Sequence, residues 1–245
     1  NMRMPYNRSS SGFTLVELLV VIVIIATLAA LLLVGFSRMR ASGDRAGAIA
    51  AMRQLAVANT SYSSEHNGQF VPIATKDKDG NLYEWYYDPV FRSYLTGDPA
   101  DAEKEGSKLR VAPAGFLDPV AYRSKKKDYD KLSASYGFNS TGLGALWPVN
   151  EMSPPMSYKV SQIANPSRTA FIISATDYQA SYTGRYLWKA TPVEGKTPNS
   201  KIAYRHDKKA IVIYYDGSTG LVSMADILAI DSKGGANNPF WKATP

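Results

Sequence analysis

Cysteine is absent from the 245 residues, so neither a disulfide framework nor a thiolate metal site can exist, and the fold stands on packing alone. Histidine is nearly absent. His66 and His206 are the two imidazoles, which leaves multi-histidine metal sites without ligands. No G-x-S-x-G nucleophile elbow occurs, and His206-Asp207, adjacent on a turn, point in different directions and are expected to face water. An enzyme is therefore not expected. Asp216, Asp226 and Asp231 are scattered, and Asp77 and Asp79 in KDKDG stop at two carboxylates, short of the D-x-D-x-D spacing of a calcium loop. Neither a metal nor a cofactor is expected. Excess charge is modest: 28 Lys plus Arg against 21 Asp plus Glu give +7, which suits an anionic surface without demanding one.

What is present begins near the N-terminus. Residues 13–34 read FTLVELLVVIVIIATLAALLLV, in which Thr14, Glu17 and Thr27 are the polar residues. As a helix this run is roughly 33 Å long, enough to cross a hydrocarbon core of about 30 Å. Arg3 and Arg8 precede it like the basic region of a secretory signal peptide. The apolar stretch from Leu18 to Val34 is 17 residues, against about 7–15 for a cleaved signal, and no A-x-A-like site closes it before Gly35. A membrane span is expected rather than simple export. Met2, after Asn1, is the expected start residue.

Glu17 separates this span from an ordinary anchor. A carboxylate at the centre of a span costs about 2.5–3.5 kcal/mol, and less near the interface, so its presence asks for a cation. If the chain is cut after Gly12, Phe13 carries a free α-amino group with a reference pKa of about 7.7–8.0, largely protonated at neutral pH. Phe13 and Glu17 are four residues apart on one helix face, and the carboxylate can equally reach the terminus of a neighbouring helix. Such a pair sets register between subunits, because a one-residue slip strands both charges.

The string Ser11-Gly12-Phe13-Thr14-Leu15-Val16-Glu17-Leu18 resembles the type IV prepilin motif shared by type IV pilins and the pseudopilins of type II secretion systems. The resemblance implies cleavage by a prepilin peptidase between Gly12 and Phe13, N-methylation of Phe13, and Glu17 as the charge that recruits the subunit into a filament. It implies an inner-membrane protein, spanning once before assembly, whose body lies on the periplasmic or extracellular side. Implied partners are copies of itself, other pilin-like subunits, the peptidase and an inner-membrane assembly platform. The basic residues flanking the span (Arg3 and Arg8 before; Arg38, Arg40 and Arg45 after) leave the orientation undecided by themselves.

The expected organisation is a leader at 1–12, a transmembrane and assembly helix at 13–36, and a globular domain at 37–245 that includes an amphipathic helical half at 37–66. Ile49, Met52, Leu55 or Ala56, Asn59 and Tyr62 recur every three to four residues, with Arg53 and Gln54 on other faces. Gly35, Gly43 and Gly47 are weak points where the helix can bend or melt during assembly. His66-Asn67-Gly68 supplies the stop, with Gly68 at the left-handed C′ position. Residues 82–95 read as a short aromatic helix or an irregular element, and 97–108 as a charged loop. Strands are expected at 135–139, 170–174, 201–204, 210–215 and 221–224, the last three as an antiparallel meander covered by the helix at 45–64. The resulting class is α+β, a pilin-like lollipop with its long helix packed on a C-terminal antiparallel sheet. The pairing of Arg205-His206 with Asp216-Gly217 also resembles the C-terminal pattern of pilin-like proteins with large bodies, from which Ser218-Thr219-Gly220-Leu221 departs.

Two other readings concern capture. The basic run 123–127 with Tyr122 and Tyr129 could grip phosphates of nucleic acid, but such a run is more often a solvated loop. Tyr83, Trp85, Tyr86 and Tyr87 could form a sugar-stacking platform, but interleaved aromatics are more often core. A membrane-anchored DNA- or glycan-capture protein, or a minor pilin with an adhesive body, is the alternative to a structural filament subunit.

Overall fold

The computed structural model describes residues 13–76, 82–97, 114–123, 135–143, 157–182 and 202–244. The leader including Gly12, the KDKDG turn from Asp77, the charged loop from 98 and the basic residues 124–127 lie outside the described residues. The chain divides into two compact units, Asn1–Gly43 and Asp44–Pro245. One helix, α1 (Leu15–Glu65), runs through both without a break at Gly35, Gly43 or Gly47.

In the first unit α1 is an apolar helix with an uncovered surface. Leu15 is 81% exposed and Leu33 71%, and every described side chain between them is exposed as well. Leucine and alanine favour helix here. The β-branched valines and isoleucines cost little once the surroundings are apolar. Thr27 returns its hydroxyl to the Ile24 carbonyl at 2.8 Å, which leaves the helix wall without an unpaired polar group.

In the second unit α1 becomes a core helix. Ala48, Ala51, Met52, Leu55, Ala56, Asn59 and Tyr62 are buried at three- and four-residue spacing, while Arg53 and Gln54 are exposed. Ile49 is only half-buried, so the inward stripe is centred on small residues that let the helix approach closely. The stop falls where expected, but one residue off. The Gly68 N–H donates to the Ser63 carbonyl at 2.8 Å, a six-to-one closure that makes Asn67 (φ 52°) the C′ residue and Gly68 the one after it. Asparagine tolerates the left-handed region well enough to take the place assigned to glycine. Asn59 Oδ1 then accepts the Val71 N–H at 2.9 Å, folding the following segment back onto the helix.

A small antiparallel pair, β1 (Ala74–Lys76) and β2 (Leu82–Glu84), leads to a 3-10 turn at Trp85–Tyr87 and to α2 (Pro89–Thr96). Asp88 caps α2 by accepting the Phe91 N–H at 2.8 Å. Residues 82–95 thus hold a strand, a turn and a helix in succession, where one short element was expected. After α3 (Pro119–Arg123) come β3 (Tyr136–Asn139), β4 (Ala170–Ser174), β5 (Gln179–Ala180), β6 (Lys209–Tyr214), β7 (Thr219–Ser223) and α4 (Met224–Asp231).

The five-stranded sheet has the order β5-β3-β4-β6-β7 and is antiparallel except for β5, which lies parallel to β3. The class is α+β, with a long N-terminal helix and a C-terminal mixed sheet. The expected three-strand meander is a two-strand hairpin. Residues 202–204 form no strand: Ile202 makes a lone bridge to Ala175, and β6 pairs with β4 on that side. Met224, expected in the last strand, opens α4, because Ser223 and Asp226 build a capping box there.

Both faces of the sheet are covered. Phe138, Phe171, Ile172, Ile211 and Ile213 pack with the α1 residues in one core cluster. Ala170, Ile173, Ala210 and Val212 join Ile202, Ile227, Phe240 and Trp241 in another. Alternation is strict in β6 but broken in β4, where a register shift between Ala170 and Ile172 turns Phe171 and Ile172 to the same side. Each large apolar side chain so enclosed contributes about 1.5–3 kcal/mol of transfer free energy.

Candidate functional site

The site built at the head of α1 is a capping box. Thr14 is the N-cap: its Oγ1 accepts the Glu17 N–H at 3.3 Å, and Glu17 Oε2 accepts both the Thr14 N–H and its hydroxyl at 2.8 Å. Two otherwise orphaned donors of the first turn are satisfied reciprocally. Glu17 therefore has donors within its own chain, which reasoning from a missing cation overlooked. The signal was present: Thr-x-x-Glu directly ahead of an apolar run marks a helix start. Phe13 sits just outside the box and is 72% exposed. Gly12 lies outside the described residues.

Below this cap, α1 is long and apolar enough to cross a membrane, and none of its most apolar window is buried within the protein. Residues 7–33 match the family model described as the prokaryotic N-terminal methylation motif. The chain thus carries the signature of type IV pilin and pseudopilin-like proteins. The match supports a pilin-like substrate of a prepilin peptidase, anchored in a membrane by its apolar helix and suited to assembly with other pilin subunits. Neither the search of curated proteins nor that of solved structures returned a match.

In the body, two members of the expected aromatic platform are turned inward. Trp85 and Tyr86 are buried, and Trp85 stacks on Phe138 with centroids 4.4 Å apart while its Nε1 donates to the Tyr178 carbonyl at 2.7 Å. They are core, and unavailable to a sugar.

His206 is also misplaced by the sequence reading. It does not face water; it is 4% exposed, with Nε2 3.0 Å from Asp118 Oδ2. Arg205 Nη1 lies 4.0 Å from the same oxygen, and its guanidinium donates to the Ser135 and Ala175 carbonyls at 3.1 and 3.0 Å. Asp118 Oδ1 meanwhile accepts the Val120 and Ala121 N–H groups at the start of α3. Burial, the largest influence on Asp118, pushes its pKa up. The His206 hydrogen bond, the Arg205 charge and the Val120 N–H together outweigh it and hold the carboxyl below its ordinary range. This cluster ties α3 to the turn before β6, where Asp207 and Lys208 both take positive φ. Asp118 and His206 are 88 residues apart, so no local pattern could have paired them.

Proposed function

We propose that this protein is a structural subunit of a filament of the type IV pilus and type II secretion pseudopilus kind. Cleavage between Gly12 and Phe13 exposes the Phe13 amine, which is then methylated, and the apolar helix passes from membrane to filament core. The observation that carries this reading is the methylation motif at 7–33 together with a helix whose side chains from Leu15 to Leu33 find no cover among the described residues.

Glu17 has two roles in this scheme. In the uncut chain its carboxylate closes the capping box with Thr14. After cleavage it also faces a new ammonium, its own or that of a neighbouring copy, and in a low-dielectric bundle the pair selects register. No catalytic role is assigned. His206 is enclosed and held by Asp118, which suits a scaffold better than a base awaiting substrate.

The N-terminal residue of the mature chain, read by mass spectrometry, tests the class. N-methyl-Phe13 is the expected terminus, and one near Gly35 would overturn the reading. Glu17→Gln then separates the two roles, because glutamine preserves a capping box but carries no charge. The variant should insert in the membrane with its helix start intact and fail to enter filaments. Normal incorporation would show that helix capping, not charge, is what Glu17 supplies.

A further inference from the structure

Residues 18–37 of α1 hold no charged side chain, a run of 20 that matches the about 20 residues a hydrocarbon core requires. The charges that bound this run differ in what answers them. Glu17, at its head, is satisfied by Thr14. Arg38 and Arg40, at its foot, are exposed, and among the described residues neither guanidinium meets an acceptor. The first unit, Asn1–Gly43, offers them none: Glu17 is its one acidic residue, and it stands 21 positions before Arg38, roughly 31 Å along a helix at about 1.5 Å per residue. Asp44, the next carboxylate along the chain, gives its oxygens to Arg123. Arg45, by contrast, has Asp207.

The placement of the two arginines fits a surrounding rather than a single partner. Two residues apart on an α-helix, Arg38 and Arg40 leave the axis about 200° from each other, so a flat protein surface that met one would miss the other. Lipid headgroups encircle a span and reach both. Phe36, 66% exposed, and Met39, 71%, lie at the same level and supply apolar surface for the acyl region beside the charged groups. Side chains on a helix lean toward its N-terminus, which here returns both guanidinium groups toward the end of the apolar run. Both cations are arginine, and the first 43 residues contain no lysine. A guanidinium presents a planar fork of donors matched to phosphate, where an ammonium presents a point charge.

We propose that Arg38 and Arg40 form a collar that binds the phosphate groups of anionic phospholipids where α1 leaves the bilayer. The collar rests on the reading of α1 as a membrane anchor. The headgroups supply the acceptors that the first unit lacks, and they fix the depth of the span.

Because the chain has no cysteine, Ser42→Cys introduces a single thiol two positions beyond Arg40. A fluorescent donor attached there, on the full chain reconstituted in phosphatidylcholine vesicles, reports the lipid around the collar by energy transfer to phosphatidylglycerol or phosphatidylcholine carrying the same acyl-chain acceptor. Transfer to phosphatidylglycerol should exceed transfer to phosphatidylcholine and saturate with its mole fraction. Arg38→Gln and Arg40→Gln fall on exposed helical positions and should leave folding intact. Each should raise the half-saturating fraction about fivefold, equivalent to about 1 kcal/mol per basic residue near the surface. The double variant should lose the preference, and Arg3→Gln/Arg8→Gln, altered before the span, should keep it. Equal transfer to the two lipids with both arginines in place, or a preference that survives the double variant, would overturn the proposal. Equal transfer combined with loss of filament entry in the double variant would assign the two charges instead to carboxylates of a neighbouring copy. Alkaline carbonate washing separates this failure from that of the anchor: a chain stripped from the vesicles overturns both readings, and one retained without lipid preference overturns the collar alone.

Discussion

Asp118 is completely enclosed, and a buried carboxylate is tolerated only while its partners hold. Its folded pKa lies below the unfolded value of about 3.9, so the ionised group contributes stability above that pH. The contribution is lost as pH falls through the folded value. Urea unfolding of the detergent-solubilised chain should therefore show a plateau near neutrality and a decline below about pH 4 that Asp118→Asn flattens. His206→Ala strips one partner from a charge that stays buried, and should cost about 3 kcal/mol at pH 7. A loss within experimental error would mean that Arg205 and the α3 N–H groups suffice. The contrast with Glu17 is instructive at this scale. Gly12, Phe13, Thr14 and Glu17 lie within six residues, so spacing alone reveals a cut site, a cap and a misplaced charge. Asp118 and His206 meet only through the tertiary fold, and each by itself reads as an ordinary turn residue.

Among elements, β5 depends most on a single position. Gly137 lies in β3 where the parallel strand crosses, and an added Cβ would stand 2.5 Å from the Gln179 carbonyl carbon and 2.7 Å from the Asp177 oxygen. Both are backbone atoms that cannot swing away. Gly137→Ala should destabilise the body by about 1–3 kcal/mol, the usual range for overpacking. The loss should be local: the Phe138 and Ser140 N–H groups, which donate to Tyr178 and Ala180, should exchange faster with solvent while the β6–β7 hairpin keeps its protection. Uniform loss of protection would show instead that β5 is integral to the whole sheet. Periodicity reveals α1 because its buried positions repeat over many turns, and reveals β3, β4 and β6 because aromatic and β-branched residues cluster there. It misreads the expected strand at 201–204, whose described residues 202–204 include a lone bridge rather than a ladder. It misses α4, which buries only Ile227 and so has little amphipathic pattern to detect.

For the whole molecule, the two units divide the work of membrane attachment and of folding. No described residue before Ala48 is buried, whereas the residues from Ala48 to Tyr62 share a core cluster with Phe138, Phe171 and Ile211. Removal of the first unit thus takes nothing from the core. The ion pairs Asp44–Arg123 and Arg45–Asp207 remain within the second, and as partly exposed surface pairs each contributes about 1 kcal/mol or less. A chain beginning at Ser42, which can serve as a new N-cap, should be water-soluble and monomeric by sedimentation. Its unfolding free energy should fall within about 1 kcal/mol of the full chain's, since only helix-end effects differ. Near-ultraviolet circular dichroism should show Trp85 and Trp241 in the same asymmetric surroundings, because both are fully buried by residues that the shortened chain retains. Aggregation, or loss of that signal, would place part of the first unit inside the fold of the body. If the prediction holds, folding of the body is thermodynamically separable from the proposed assembly: substitutions at Phe13 or Glu17 leave the stability of the body unchanged, and those at Asp118 or Gly137 act on how much body is there to be carried.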